Sequence, residues 1–345
     1  MLNNGRPQGD LKTDSPLDLR LIETSSIAQI PEEDTRYVAL SHCWGSPDAA
    51  ARMLQTTRET LDAFTQSIPW EGLTKTFQHG MLVAKHIGIK YIWIDSLCIV
   101  QDDAQDWAEE ASRMASIYEN AHLTVAVTGA TNGDKGLFIN TSNEPMPRRG
   151  VHEIKLPSLQ YPIYVRRSLP YRDETVLGHH NALEGLSERP LLRRGWAFQE
   201  RLLSPSILHF TQDELILEYD NVTHRSSCEC ETLSHCVPGF VSGRNLLEKI
   251  DISSELWPWR LIVENYAWRL LTSEADRLPA LSGIATKVQQ QYPSLGSYLA
   301  GLWEADLVRA SLEDARAGPS QTATDFSSKD IAISTSNMVL GFHWR

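Results

Sequence analysis

The sequence predicts an α/β protein with an open, mostly parallel sheet flanked by helices, further antiparallel strands and a mainly helical C-terminal extension. Between residues 37 and 129, short apolar runs alternate with helical patterns. The run YIWID at 91–95 is apolar on both faces, which is typical of a parallel strand that helices cover on both sides. The order strand, helix, strand, helix, strand is that of the right-handed parallel unit of open α/β sheets.

The first elements follow from local signals. Strands are predicted at 17–23 (LDLRLIE) and at 37–41 (YVALS), where a glycine and a proline end the apolar run. A helix is predicted over about 74–87, because apolar residues recur there at helical spacing. Thr74 or Thr76 can cap its start, and Gly88 suits the left-handed conformation that ends many helices.

The second helix is predicted over about 106–120. Asp106 and Glu109 have the spacing of a capping box at its start, and Glu109 also faces Arg113 at the spacing of a surface ion pair. Alternating apolar and polar residues at 122–128 predict the third strand. These elements complete the parallel unit.

The chain beyond residue 129 has weaker patterns. An antiparallel strand pair is predicted at 206–210 and 214–219, followed by helices over about 259–271, 278–291 and 295–310. We therefore divide the chain into a flexible arm (1–16), an α/β domain (17–210), a mixed strand and helical extension (211–310) and a poorly ordered tail (311–345).

Composition and charge exclude several classes of protein. A net charge of −12 argues against a nucleic-acid-binding protein, which needs a surplus of Lys and Arg. No window approaches the roughly 18 apolar residues of a membrane span, and the N-terminus lacks the apolar core of a signal peptide. Five cysteines without an export signal predict free thiols in a reducing compartment, and hence a cytoplasmic protein.

Polar residues directly follow the apolar strands. Ligands of open parallel sheets bind outside the carboxyl ends of the strands, so we predict a site there. The catalytic candidates are Asp95, His42 and Glu110. The candidate ligand-binding residues are Ser41, Trp44, Ser96, Cys98 and Gln101 from the strand ends, with Trp196, Gln199 and Glu200 from RGWAFQE at 194–200.

The candidate catalytic residues each have a structural alternative. Glu110 falls on the buried flank of its helix, so it is either a general acid or base with a raised pKa or a structural carboxylate bonded to backbone. Asp95 is either a functional group or the cap of the next loop. His42 and Cys43 suggest a thiol and its base, but neighbouring residues of a strand end point to opposite faces, which disfavours that pair.

Other chemistry has less support. The segment at 224–236 holds His and Cys side chains for a zinc site but lacks paired CxxC knuckles, so no metal is predicted. The basic segment at 193–201 is either a site for a phosphate or carboxylate or a solvated face. The motifs GxGxxG, GxxxxGK[ST], GxSxG and HExxH are absent, which argues against ordinary dehydrogenases, P-loop NTPases, α/β-hydrolases and zincins.

Three blocks resemble the fungal heterokaryon incompatibility (HET) domain family: YVALSHCWG (37–45), YIWIDSLCIVQDD with the following helix (91–121), and RGWAFQERLLSPSILHF (194–210). The resemblance implies a cytosolic protein that triggers growth arrest or cell death when unlike individuals fuse. Its expected partners are other incompatibility or signalling proteins, or a second copy of the chain.

The HET family has also been compared with the Toll/interleukin-1 receptor (TIR) fold, which has a flavodoxin-like sheet. Some TIR domains cleave NAD with a catalytic Glu, and Glu110 is the nearest match here, although it lies three residues after Trp107 rather than four. Three functional hypotheses therefore remain open. They are a cell-death effector, an enzyme (an NAD glycohydrolase or a tailoring enzyme of secondary metabolism), and a binding module that recruits partners through the 193–201 face.

Overall fold

The computed structural model describes residues 20–23, 26–29, 36–138, 151–154, 163–166, 189–212, 215–219, 222–225 and 258–305. The predicted arm (1–16), the tail (311–345) and most of the candidate zinc segment (226–236) lie outside the described residues.

The strands are β1 Arg20–Glu23, β2 Ser26–Gln29, β3 Tyr37–Ser41, β4 Tyr91–Trp93, β5 Leu123–Ala126, β6 Val151–Ile154, β7 Ile163–Arg166, β8 Ser206–Phe210, β9 Leu215–Tyr219, β10 Val222–Arg225, β11 Tyr298–Leu299 and β12 Leu302–Trp303. The helices are α1 Pro47–Arg52, α2 Leu61–Gln66, α3 Lys75–His86, α4 Asp95–Cys98, α5 Ala104–Asn120, α6 Gly195–Leu203, α7 Pro258–Ala267 and α8 Pro279–Gln291.

Eight of the described strands form one sheet in the order β10-β9-β8-β5-β3-β4-β1-β2. The pairs β3–β4, β3–β5 and β5–β8 are parallel, and the pairs toward both edges are antiparallel. The predicted α/β class and the antiparallel pair at β8 and β9 are confirmed. Strand β4 lies on one side of β3, and β5 lies on the other side. The direction in which the chain adds strands therefore reverses between β3 and β5, and open α/β sheets form their ligand crevice at such a point.

Two helices cover opposite faces of the parallel strands. Side chains along a strand point alternately to the two faces of the sheet. Helix α3 packs on the face that carries Leu40 and Ile92, because a Cβ added at Gly80 of this helix would lie 3.3 Å from both side chains. On the other face, Tyr118 of α5 meets Trp93 edge to face at 5.7 Å. The main hydrophobic core joins these two layers to the sheet.

The predicted helix over 74–87 is confirmed as α3. The Thr74 hydroxyl accepts a hydrogen bond from the Phe77 amide, and Gly88 has a φ of 75°, as expected of the residue that ends a helix in the left-handed region.

The predicted start of α5 is wrong in its capping residue. Asp103, not Asp106, accepts from the amides of residues 105 and 106, while Asp106 bonds the Val100 amide at 2.8 Å. Arg113 also pairs with Glu110 at 3.0 Å and not with Glu109 as expected. Asp103 therefore caps the helix, whereas Asp106 of its first turn holds the loop that precedes it.

The C-terminal helices α7 and α8 form a second hydrophobic cluster with α6. The helix predicted over about 295–310 is wrong over residues 298–303, which form the β11–β12 hairpin, and residues 306–310 of that prediction lie outside the described residues. Gly301 at φ 104° makes its turn, and Trp303 is buried against Trp259 at 5.3 Å. Among the described residues no helix has the length and apolar character needed to cross a membrane.

Candidate functional site

Ser41, the last residue of β3, donates its hydroxyl hydrogen to the Glu200 carboxylate of α6. Helix α6 packs over the sheet on the same face as α5, and Ala197 joins Ala126 and Ile207 in a small apolar cluster beneath it. The Ser204 and Thr124 hydroxyls bond at 2.7 Å at the end of the helix. Glu200 is therefore held against the carboxyl end of the central strand.

Burial raises the pKa of the Glu200 carboxyl to about 7, because its ionised form loses solvation. The nearby Arg194 charge and the hydroxyls of Ser41 and Tyr118 act in the opposite direction, while the Asp95 charge adds to the rise. A carboxyl group that titrates near neutral pH beside a serine hydroxyl is suited to donate or accept a proton.

Arg194 precedes the first residue of α6 and donates a hydrogen bond from its guanidinium to the His42 carbonyl oxygen. Burial disfavours the charge of this side chain, but the carboxylates of Glu200 and Asp95 outweigh that effect and raise its pKa. The guanidinium therefore stays charged and balances the two acidic groups at the strand end.

His42 is 1% exposed and meets Phe77 of α3 edge to face at 5.1 Å. Its Nε2 lies 3.7 Å from Asp95 Oδ1, and neither ring nitrogen makes a hydrogen bond within the described residues. Burial lowers the pKa of His42, against the opposing effect of Asp95, so the imidazole is neutral near pH 7. Ser41 and His42 thus point to opposite faces of the sheet, as neighbouring residues of a strand do.

Asp95 is the first residue of α4, separated from the end of β4 by Ile94 alone, and its carboxylate accepts two hydrogen bonds. Its Oδ2 accepts from the Trp44 indole at 2.8 Å, and its Oδ1 accepts from the Ser96 amide at 2.7 Å. The Asp95 side chain is 16% exposed, and Trp44 is half-buried. We call this set the strand-end cluster: Ser41, His42, Trp44, Asp95, Tyr118, Arg194 and Glu200.

Three predicted ligand-binding residues support the backbone around Asp95 instead of joining its side chain. The Gln101 amide donates to the carbonyl oxygens of Asp95 at 3.2 Å and Ile99 at 3.0 Å. The Ser96 hydroxyl donates to the Leu54 carbonyl at 3.3 Å, and the buried Cys98 sulfur accepts from the Ile94 amide at 3.5 Å. A ligand-binding role for these three residues stays a prediction.

Trp196 and Gln199 of α6 point toward other helices. The Trp196 indole donates to Asp276 at 3.1 Å, and its ring meets Trp107 at 6.4 Å. The buried Gln199 side chain accepts from the Gly283 amide of α8 at 3.0 Å. Both residues hold α6 in place, and their predicted contact with a ligand is untested.

Glu110 is buried on α5, as predicted, and pairs with Arg113 of the next turn. Glu200, rather than Glu110, is the carboxyl that lies against Ser41 and within the field of Asp95. The catalytic role predicted for Glu110 stays a prediction.

Sequence reasoning missed Arg194 and Tyr118 as members of this cluster. The Tyr118 hydroxyl donates to the Leu40 carbonyl at 3.2 Å and also interacts with Glu200. Arg194 belongs to the basic segment at 193–201, for which the sequence left open a site for a phosphate or carboxylate and a solvated face. The sequence did contain one signal. Arg194 comes immediately before the helix, and Glu200, its sixth residue, lies on the buried face. This spacing places both charges at the same end of the sheet.

A second polar cluster lies beside the first, beneath the next residue of α6. Arg201 makes two hydrogen bonds to Glu218 of β9, and His209 Nε2 of β8 lies 3.4 Å from the same carboxylate. The other ring nitrogen of His209 bonds the Thr128 hydroxyl at 2.8 Å. Glu218 is partly buried, and the loss of solvation raises its pKa, but the charges of Arg201 and His209 outweigh this and hold the pKa well below its usual range.

Thiol and metal chemistry has no support among the described residues. Burial raises the pKa of Cys43 to about 11, so the thiol is protonated near neutral pH and is a poor nucleophile. No group of three or more His, Cys, Asp or Glu side chains in the described ranges has a metal-binding arrangement.

Residues 37–200 match the family model described as Heterokaryon incompatibility protein (HET). Neither the curated proteins nor the solved structures contain a match to this chain. The matched range begins with β3 and ends at Glu200, so it contains the whole strand-end cluster.

Proposed function

Since the chain carries a heterokaryon incompatibility (HET) domain over residues 37–200, we propose that it is an effector of fungal allorecognition that triggers growth arrest or cell death. The observation that carries this proposal is the coincidence of the family match with the strand-end cluster. Residues from both ends of the matched range, Ser41 and Glu200, meet there in a direct hydrogen bond.

The composition of the cluster supports a working role for it. Buried ionisable groups reduce stability unless they are paired, and apolar residues of similar size serve a core at least as well. Here Arg194, Asp95 and Glu200 lie together at the carboxyl edge of a parallel sheet, where ligands of such sheets bind. Perturbed titration of Glu200 in this position is typical of functional sites.

The proposal includes a location and partners. We place the protein in the cytoplasm, and we expect other incompatibility or signalling proteins, or a second copy of the chain, to receive its signal. The net charge of −12 argues against nucleic acid as the partner.

Inducible expression in a filamentous fungus tests the proposal. Wild-type protein is expected to arrest growth, and Asp95→Ala and Trp44→Ala are expected to relieve the arrest, because both changes remove the hydrogen bond between the Trp44 indole and the Asp95 carboxylate. The matched control is Asp134→Ala, which alters an exposed pair with Arg52 and should arrest growth like wild type. Normal growth with folded, expressed wild-type protein contradicts the proposal.

A second candidate function is an enzyme on the same scaffold, and one observation favours it: the Glu200 carboxyl has a pKa of about 7 and contacts the Ser41 hydroxyl. Hydrolysis of NAD, in which water replaces nicotinamide on the ribose, requires a group that exchanges a proton near neutral pH. Nicotinamide release by the purified protein tests this candidate.

The enzyme assay is interpreted through two variants. Glu200→Gln is expected to abolish nicotinamide release if Glu200 acts in proton transfer, whereas Glu110→Gln tests the role that the TIR comparison implies. If the wild-type protein releases no nicotinamide, NAD hydrolysis is excluded as its activity. If wild type, Glu200→Gln and Glu110→Gln release nicotinamide equally fast, neither carboxylate takes part in the reaction.

A further inference from the structure

The segment at 258–305 lies outside the matched range, yet its backbone brackets a residue of the strand-end cluster. The Leu270 amide donates to the Arg193 carbonyl at 2.6 Å, and the Leu270 carbonyl accepts from the Gly195 amide at 2.8 Å. These two bonds form an isolated parallel bridge between Arg194 and Leu270. The backbone on each side of Arg194 is therefore fixed by a residue of the C-terminal segment.

Arg269 anchors the bridging residue. Its side chain is 4% exposed, donates to the carbonyl oxygens of Leu192 and Asn265, and stacks on the Phe198 ring of α6 at 4.4 Å. Burial lowers its pKa to about 9, so the guanidinium remains charged at neutral pH. A buried cation of this kind is stable only while its carbonyl and aromatic partners stay in place. Arg269 therefore holds the C-terminal segment firmly against α6 and the residues before it.

Close backbone packing continues this contact along α6. A Cβ added at Gly195 would lie 2.4 Å from a Leu271 methyl carbon, so the first turn of the helix and the segment touch without a gap. A Cβ added at Gly283 of α8 would lie 2.4 Å from the Ala115 Cβ and 2.5 Å from the Gln199 side chain. The segment thus holds both the start and the middle of the helix that carries Glu200.

We infer that Arg269 and Leu270 are positioning residues of the strand-end cluster. They fix the backbone at Arg194, so that its guanidinium donates to the His42 carbonyl and lies close enough to Glu200 for the two charges to interact. The working unit accordingly extends from β3 through the β11–β12 hairpin, well past the matched range. This inference goes beyond the proposed function and does not depend on growth arrest.

The experiment measures the Glu200 pKa in the full chain by NMR titration of glutamate labelled at the side-chain carboxyl carbon, with Glu200→Gln to assign the signal. The Arg194 charge lowers that pKa, so any displacement of the guanidinium raises it. Arg269→Ala is expected to raise the Glu200 pKa by about 0.5 or more. Arg194→Gln, which removes the charge itself, gives the largest rise and sets the scale.

Lys287→Ala is the matched control, because Lys287 of the same segment pairs with Glu119 of α5 and makes no described contact with Arg194. It is expected to leave the Glu200 pKa unchanged even if it lowers the melting temperature. The inference is overturned if folded Arg269→Ala has the wild-type Glu200 pKa. If Arg269→Ala does not fold, Arg269→Lys replaces it: this variant keeps the charge but loses the planar stacking, so a smaller rise supports the inference and no rise overturns it.

Discussion

Glu200 on α6 accepts a hydrogen bond from Ser41 at the end of β3, 159 positions earlier in the chain. The next residue of the helix, Arg201, binds Glu218 of β9. Consecutive residues of one helix therefore enter two separate polar clusters on the same sheet. Since a shift of α6 by one residue would break both sets of bonds, polar contacts as well as packing fix its register over the sheet.

The first prediction concerns the pH dependence of stability. The folded-state pKa of Glu200 is about 7, above the ordinary value of 4.5. Between pH 4.5 and pH 7 the folded protein therefore keeps a proton on Glu200 that the unfolded chain has released. The stabilising contribution is complete below about pH 4.5 and is lost as the pH rises through 7. The expected loss is about 2.5 kcal/mol between pH 5 and pH 8, measured by urea unfolding.

The matching variant is Glu200→Gln, a neutral isostere of the protonated carboxyl. It is expected to lose less stability than wild type over the same pH range, and the difference between the two curves isolates Glu200 from His42 and the other titrating groups. Parallel curves for the two proteins would show that Glu200 titrates near its ordinary value.

The second prediction concerns the bond between Trp44 and Asp95. Trp44→Phe keeps an aromatic ring but removes the indole N–H that donates to Asp95 Oδ2 at 2.8 Å. We expect a loss of about 1 kcal/mol in the free energy of unfolding, since Asp95 is partly exposed and water replaces some of the bond. Trp70→Phe, at an exposed ring, is the control and is expected to change stability by less than about 0.5 kcal/mol.

The convergence of strand ends was predictable from sequence because it follows from topology. Parallel strands present their carboxyl ends at one edge, so the polar residues at the ends of YVALS and YIWID and just beyond them had to lie near each other. The Trp44–Asp95 bond and the 3.7 Å approach of His42 to Asp95 are the result. Hydrophobic periodicity likewise predicted α3 within one residue at each end.

The contributions of distant segments were not predictable in the same way. Arg194 reads locally as a surface residue, and its inward position depends on a bridge to Leu270 that no local pattern encodes. The β11–β12 hairpin was mistaken for a helix because short apolar runs fit either period. Gly296 and Gly301, both at positive φ, were the signals that favoured turns in that region.

The third prediction concerns acid unfolding through Glu218. Its folded pKa lies below the ordinary value of 4.5, so its contribution to stability is present above about pH 4.5 and is lost as the pH falls further. Glu218→Gln leaves Arg201 without its partner and is expected to cost about 2–4 kcal/mol at pH 7. The variant should also lose the part of the acid dependence that Glu218 supplies, as measured by urea unfolding from pH 3 to pH 7.

Glu274→Gln is the control for Glu218. Glu274 pairs with Arg277 at 2.6 Å but is 78% exposed, and such surface pairs contribute at most about 1 kcal/mol. A loss for Glu218→Gln no larger than that of the control would contradict the structural role assigned to the partly buried Arg201–Glu218 pair.

The fourth prediction concerns the close approach of α8 to α5 and α6. Gly283→Ala places a methyl group 2.4 Å from the Ala115 Cβ, so the helices must separate. Overpacking costs about 1–3 kcal/mol, and the better helix propensity of Ala offsets up to about 1 kcal/mol of it. Urea unfolding should therefore show a net loss of about 1–2 kcal/mol.

Gly72→Ala is the control: its added Cβ would meet neighbours at 3.6 Å and beyond, so it should be neutral or slightly stabilising. Equal stability of the two variants would mean that α8 packs less closely on its neighbours than these distances require.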